Sequence, residues 1–186
     1  MTDTALLLMD VQLDIVSQSG DDGGYLTRLA AAAAAARSAG ISVIYVKVGF
    51  RPGYPEVSPD NQSFGAIAGT GRFAEGDPGA EIHPAVAPRP GDVVVTKKRV
   101  SAFAGSDLDV VLRAGRTRHL VLAGIATSGV VLSTLRQAAD LDYDLTVLSD
   151  GCADADPEVH RVLLDKVFPR QARITTAEEW LGQLGR

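Results

Sequence analysis

Basic residues are too few to suit one class of partner. Lys and Arg number 18 against 23 Asp and Glu, a formal net charge of −5, so the positive footprint that a phosphate backbone requires is missing and no nucleic acid partner is expected. Cysteine occurs once, as Cys152. One thiol cannot build an internal disulfide framework and fits a reducing compartment, which points to the cytoplasm. Long apolar runs are missing too: the longest, Leu29 to Ala36, is mostly alanine and falls far short of the roughly 20 residues that cross a bilayer, so no membrane partner is expected. Leu6-Leu7-Leu8-Met9 follows Asp3 rather than a basic stretch and is cut short by Asp10, the wrong pattern for a secretory leader. The three histidines, His83, His119 and His160, show no metal-ligand spacing. No metal and no other cofactor are therefore expected.

What is present suits an ordinary globular chain. Hydrophobic residues make up 46% and charged residues 22% of 186 residues, enough for one well-buried core and short for two, so residues 1–186 are expected to form a single domain. Ala5 to Met9, Ile41 to Val48, Asp92 to Thr96, Leu120 to Ala123, Leu145 to Ser149 and the short Ala172 to Ile174 are apolar, β-branched runs without polar alternation. Strands covered on both faces read this way. Between them lie helical segments: an alanine-rich one from Leu26 to Ala39 stopped by Gly40, Ser106 to Ala114, a segment opening at Thr127-Ser128-Gly129, Pro157 to Phe168 capped by Asp156, and Thr176 to Leu184. Such alternation predicts an α/β fold with a doubly wound, mostly parallel six-stranded sheet and helices on both faces, a Rossmann-like three-layer sandwich. Gly49 to Pro90 is rich in Gly, Pro, Asp and Ser without a sustained period; a loop of this length is usually functional or carries short helices of its own, and it is expected to fold over the carboxyl edge of the sheet as a lid.

In this architecture ligands bind at the carboxyl ends of the strands. Asp10, Lys97, the turn after Gly124 and Asp150 each follow a predicted strand, so all four are expected on that one edge. An aspartate and a lysine meeting there can relay a proton, and the backbone N–H groups of Ala126 and Val130 could face an oxyanion at the opening of the next helix. A nucleophile is missing. Ser128 lies near that helix start, but a hydroxyl without a matched base is weakly activated, and its plainer role is to cap the helix.

Three segments in the same order, Leu8-Met9-Asp10-Val11-Gln12, Lys97-Lys98-Arg99-Val100-Ser101-Ala102-Phe103, and Gly124-Ile125-Ala126-Thr127 with Ser133-Thr134, resemble the isochorismatase-like hydrolases, also called the cysteine hydrolase family. Asp150-Gly151-Cys152-Ala153 and the later His160 fall where that family commonly carries an Asp-x-Cys/Ala-x turn and a histidine. The resemblance implies an aspartate base at Asp10, a supporting lysine at Lys97, and a cysteine nucleophile at the start of the helix. Counting from Gly124, that last position holds Val130. True isochorismatases also lack the cysteine and cleave a vinyl ether without a covalent intermediate, their aspartate acting as acid; the resemblance therefore implies hydrolysis of a small-molecule substrate by Asp10 and Lys97 alone.

It further implies substrate contacts from Gln12, Phe103, Thr127 and Ser128, a cis peptide between Ile125 and Ala126, and a homodimer or larger homo-oligomer. The metal-binding nicotinamidase branch would show Asp-x-His after the second strand. This chain has Gly49-Phe50-Arg51-Pro52-Gly53-Tyr54 there, in which Arg51 is a candidate to hold a substrate carboxylate. Plainer readings stand beside these. Asp10 could cap a turn, Lys97 could run its stem along apolar surface, Cys152 and His160 read as packing residues, and the whole chain could be a member that has lost catalysis and binds a small molecule or a protein partner.

Overall fold

The computed structural model of the protein describes residues 2–19 and 23–184. The first strand, β1 (Thr4–Met9), is apolar from Ala5 onward and fully covered. It pairs on one side with β2 (Ser42–Val48) and on the other with β4 (His119–Ile125). With β3 (Val93–Lys97), β5 (Asp144–Ala153) and β6 (Arg173–Thr175), these strands form one sheet in the order β3-β2-β1-β4-β5-β6, parallel at every pairing. Parallel strands need crossovers that bury both faces, which is why alternate residues of β1 serve separate cores. Leu7 and Met9 pack with Leu108, Leu112, Leu135 and Phe168 on one face. Leu6 and Leu8 pack with Leu29, Ala32, Ala36 and Trp180 on the other.

The first of those faces is covered by α3 (Leu108–Ala114), α4 (Leu132–Asp140) and the helical segment that follows α5 (Pro157–Val162). The second is covered by α1 (Leu13–Ser19), α2 (Tyr25–Ser38) and α6 (Ala177–Leu184). The alanines of α2 at 32, 33 and 36 are buried with Leu29, so small side chains let this helix lie close to the sheet. The doubly wound, six-stranded expectation is met. Among the described residues no helix is long and apolar enough to cross a membrane.

Several local expectations require correction. Helix α1 is not announced by its sequence: Leu13-Asp14-Ile15-Val16-Ser17-Gln18-Ser19 mixes β-branched and serine residues of modest helix propensity, and burial of Val16 against the second core supplies what propensity does not. Strand β5 does not stop at Ser149. It continues to Ala153 after a register break, Leu122 pairing with Val147 but Gly124 with Cys152, so Asp150 lies inside the strand. Its carboxylate accepts the Ala177 N–H at 2.7 Å, capping α6, and stands by Arg28. Pro157 to Phe168 is not one uniform helix, because a wider π turn takes over at Leu163–Val167. The segment from 49 to 90 carries three 3-10 turns, Gly65–Ile67, Pro78–Ala80 and Pro84–Val86.

The chain leaves β1 toward β2 and β3, then crosses back to lay β4 on the other side of β1. The crevice outside the carboxyl ends of β1 and β4 is therefore the switch point of the sheet, where open α/β folds take ligands. Gly124 permits the close approach there. Its φ is +153°, and a Cβ at that position would collide with the Met9 carbonyl oxygen.

Candidate active site

Asp10 emerges from β1 in the left-handed region, with φ +57°, a conformation that aspartate tolerates better than most residues at a small cost. Its N–H still donates to the Val46 carbonyl at 2.8 Å. The side chain meets Lys97, the last residue of β3, whose Nζ lies 2.9 Å from Asp10 Oδ2 and donates to the Arg99 carbonyl at 3.0 Å. Both residues are buried, Asp10 at 6% and Lys97 at 2% exposure. Asp10 Oδ1 has no hydrogen-bond partner among the described residues. Burial pushes the Asp10 carboxyl above its ordinary value, while the charge and hydrogen bond of Lys97 pull the other way without overcoming it.

The pair opens onto a cavity of about 470 Å³. Helix α1 contributes Ile15, Gln18 and Ser19 to its wall, and the loop after β4 contributes Ile125, Ala126, Gly129 and Val130. Phe64, Arg72 and Phe73 come from the segment between β2 and β3, which thus folds over the strand ends as a lid. Arg72 stacks on Phe73, 5.2 Å from the ring centroid, and its Nε lies 3.4 Å from Asp14 on α1. Lys97 is already matched by Asp10, so Arg72 is the cation of this wall free to meet an anionic ligand at the cost of a loose pair, both members about two-fifths exposed.

The loop after β4 begins with a cis peptide between Ile125 and Ala126. It then closes as a π turn, Thr127–Val131, in which the Val131 N–H reaches the Ala126 carbonyl at 3.2 Å before α4 starts at Leu132. Val130 is 2% exposed and lines the cavity beside Asp10 and Lys97. Four of the expected residues, Asp10, Lys97, Ala126 and Val130, are therefore brought together around one space.

The five expected substrate contacts are not on its wall. Gln12 is fully buried, its Nε2 donating to the carbonyls of Val48 (2.9 Å) and Ala80 (2.7 Å) and its Oε1 accepting the Val48 N–H. Every donor of the amide is committed, and it ties β1 and β2 to the lid. Arg51 points to solvent and pairs with Glu56 at 2.9 Å. Phe103 packs in the first core with its ring 6.1 Å from Tyr143. Thr127 is fully buried behind the turn, bonded to the Ala153 carbonyl and to His160. Ser128 is exposed and does not cap α4; its N–H donates to Asp154 Oδ2 at 2.7 Å.

Arg72, Phe64 and Phe73 were not singled out by sequence reasoning, because no period in that segment marks which residues turn inward. Asp154 was missed as well, although Asp154 and Asp156 just before the start of α5 are a capping signal. Cys152 is buried, and desolvation pushes its thiol up to about 12, so the one sulfhydryl of the chain is held as an inert thiol. Among the described residues no three His, Cys, Asp or Glu side chains gather as metal ligands.

The family model for the isochorismatase domain matches residues 4–179. The ureidoacrylate amidohydrolase RutB of Stutzerimonas stutzeri (strain A1501) is 34% identical over an alignment of 204 residues covering 97% of this chain and 78% of that protein. The protein of the same name from Methylobacterium radiotolerans is 36% identical over 187 residues, covering 88% and 72%. Among solved structures, an isochorismatase family protein from Burkholderia thailandensis superposes with a TM-score of 0.85 at 30% identity, covering 100% of this chain and 98% of its own. A cysteine hydrolase from Pseudomonas syringae pv. phaseolicola 1448A gives 0.87 at 25% identity, covering 100% and 94%.

Proposed function

Because this chain belongs to the isochorismatase family of hydrolases, we propose that it hydrolyses a small, carboxylate-bearing substrate by acid catalysis from Asp10, with no covalent intermediate. The observation that carries this reading is the buried carboxyl of Asp10, 2.9 Å from Lys97 and raised in proton affinity, with Oδ1 unpartnered among the described residues at the wall of the cavity. A carboxyl raised in this way holds a proton to donate nearer to neutral pH. The position that corresponds to the family's nucleophilic cysteine holds Val130, whose methyl groups can shape the cavity but cannot attack.

In the reaction so assigned, Asp10 gives its proton to the substrate, water adds to the carbon so activated, and the scissile C–O or C–N bond breaks as the tetrahedral adduct collapses, the leaving group departing protonated. The proton lost by that water returns to Asp10. Lys97 holds Asp10 in place and stabilises the carboxylate formed in mid-reaction. The Ala126 and Val130 N–H groups are assigned to negative charge developing on the substrate. Arg72 is assigned to its carboxylate, a group that the planar guanidinium matches. The relatives' name, ureidoacrylate amidohydrolase, denotes a substrate that carries one.

A second reading is favoured by Val130 itself: a family member without a nucleophile that binds a ligand and leaves it intact. Turnover of ureidoacrylate and of carboxylate-bearing vinyl ethers separates the two. The hydrolase reading expects turnover in the wild type, none in Asp10→Asn, and a higher KM in Arg72→Gln. It also expects Val130→Cys to gain an acyl adduct, detectable by mass spectrometry, on amide substrates. If none of the panel is turned over while one member raises the melting temperature, the binding reading stands and the hydrolase reading falls.

A further inference from the structure

Thr127 Oγ1 has two neighbours and one hydrogen. It lies 3.1 Å from the Ala153 carbonyl oxygen and 2.8 Å from His160 Nδ1. A carbonyl can only accept, so the hydroxyl proton serves Ala153, and His160 must donate from Nδ1. The opposite assignment would leave two oxygens 3.1 Å apart with no proton between them. The imidazole is thus locked as the Nδ1–H tautomer, and its Nε2 carries the lone pair. The neighbouring residue of the turn is tied in the same direction, the Ser128 N–H donating to Asp154 Oδ2 at 2.7 Å. Asp154 follows β5, and His160 lies on α5. Two anchors on one side thus fix consecutive residues of the turn, while Ala126 before them and Gly129 and Val130 after them line the cavity.

We propose that His160, acting through Thr127, is a positioning residue for the reaction: its Nδ1–H holds the turn after β4 so that Ala126 and Val130 keep their places on the cavity wall. Only one ring nitrogen is needed, and protonation would add a hydrogen at Nε2 without removing the Nδ1 donor, so the anchor is structural rather than a pH switch. The donors of such a turn are effective because they do not reorganise as charge develops. A turn free to shift by even an ångström would lose that advantage. This proposal rests on the hydrolase reading for its catalytic consequence but not for its geometry.

Two substitutions distinguish the nitrogens. His160→Asn keeps an N–H donor where Nδ1 stands, whereas His160→Gln carries its donor near Nε2. The ¹⁵N spectrum of the wild type should show the His160 proton on Nδ1. The Asn variant should keep the backbone amide resonances of Gly129 and Val130 and the wild-type kcat. The Gln variant should displace those resonances and lower kcat on the order of 10²-fold with KM little changed. Thr127→Ser and Thr127→Val provide a second pair with the same expectation, retained and lost respectively, should either histidine variant fail to fold. A proton on Nε2, or Asn and Gln variants that behave alike, overturns the proposal. If the wild type hydrolyses nothing, the hydrolase reading fails, and the amide resonances still decide whether His160 sets the turn.

Discussion

Asp10 Oδ2 and Lys97 Nζ stand 2.9 Å apart with side chains 9% and 2% exposed, although the strands that deliver them, β1 and β3, are not neighbours. Strand β2 lies between, and Lys97 spans its end; Val48 pairs with Lys97 in register and Met9 with Val46. Removing two charges from water is costly, and their attraction recovers that cost only while both are present.

The pH dependence follows from the direction of the Asp10 shift. Burial raises its pKa, so an acid role requires kcat to be full at low pH and to fall as pH rises through the raised value. A base role would give the reverse limb. Stability moves the same way: the share due to Asp10 is complete below the ordinary carboxylate value of 3.8 and is lost as pH rises through the folded-state value. The wild type should therefore gain on Asp10→Asn in denaturant melts as the solution is acidified. A constant difference between the two proteins across the acid range would contradict the shift, and an activity limb rising with pH would assign Asp10 as base.

At a pH above the raised Asp10 value, where the side chain is ionised, removing Lys97 strands its carboxylate. Lys97→Met is expected to lower stability by about 3–5 kcal/mol, whereas the double variant with Asp10→Asn, which buries no charge, recovers much of that loss. Urea titrations of the two singles and the double close the cycle. Additive losses would mean that the pair does not interact.

The sheet was legible in the sequence because its strands are buried on both faces, and continuous apolar runs such as Leu6-Leu7-Leu8-Met9 admit few other readings. The edge residues Asp10 and Lys97 were legible for the same reason, since whatever directly follows a buried parallel strand emerges at the carboxyl edge. What failed was direction. Gln12, Phe103 and Thr127 lie within a few residues of cavity-lining positions, yet Gln12 spends its amide on Val48 and Ala80, Phe103 fills the first core, and Thr127 faces Ala153 and His160. Proximity in sequence does not say which way a side chain turns in irregular backbone. The lid shows the converse error: Arg51 carried the expected chemistry, but the arginine on the cavity wall is Arg72.

Cys152 supplies a test that needs no substrate. With its thiol buried and pushed up to about 12, it should resist thiol-directed reagents in the folded protein and react fully once unfolded. Cys152→Ala should keep kcat and lose about 1 kcal/mol through the small cavity it leaves in the first core. Stoichiometric alkylation of the native protein with parallel loss of activity would move the chemistry to sulfur and away from Asp10.

Gln12 tests whether the lid is fastened or merely lies over the site. One buried amide satisfies the Val48 N–H, the Val48 carbonyl and the Ala80 carbonyl, joining the end of β2 to the 3-10 turn at Pro78–Ala80. Gln12→Leu keeps the volume and leaves three backbone groups unpaired, so stability should fall by at least about 2 kcal/mol. Gln12→Glu should fare worse at neutral pH, because a carboxylate can accept from Val48 but turns two carbonyl contacts into repulsions. The lid carries Arg72 and Phe73 to the cavity wall, so loosening it should raise KM for a carboxylate-bearing substrate more than it lowers kcat. Faster hydrogen exchange should appear at the Ala80 and Phe73 amides before it appears in β1. Unchanged exchange there in a Leu variant of normal KM would show that the amide is a packing detail and that the backbone bonds from Leu13 to Glu81 and from His83 to Val11 hold the lid without it.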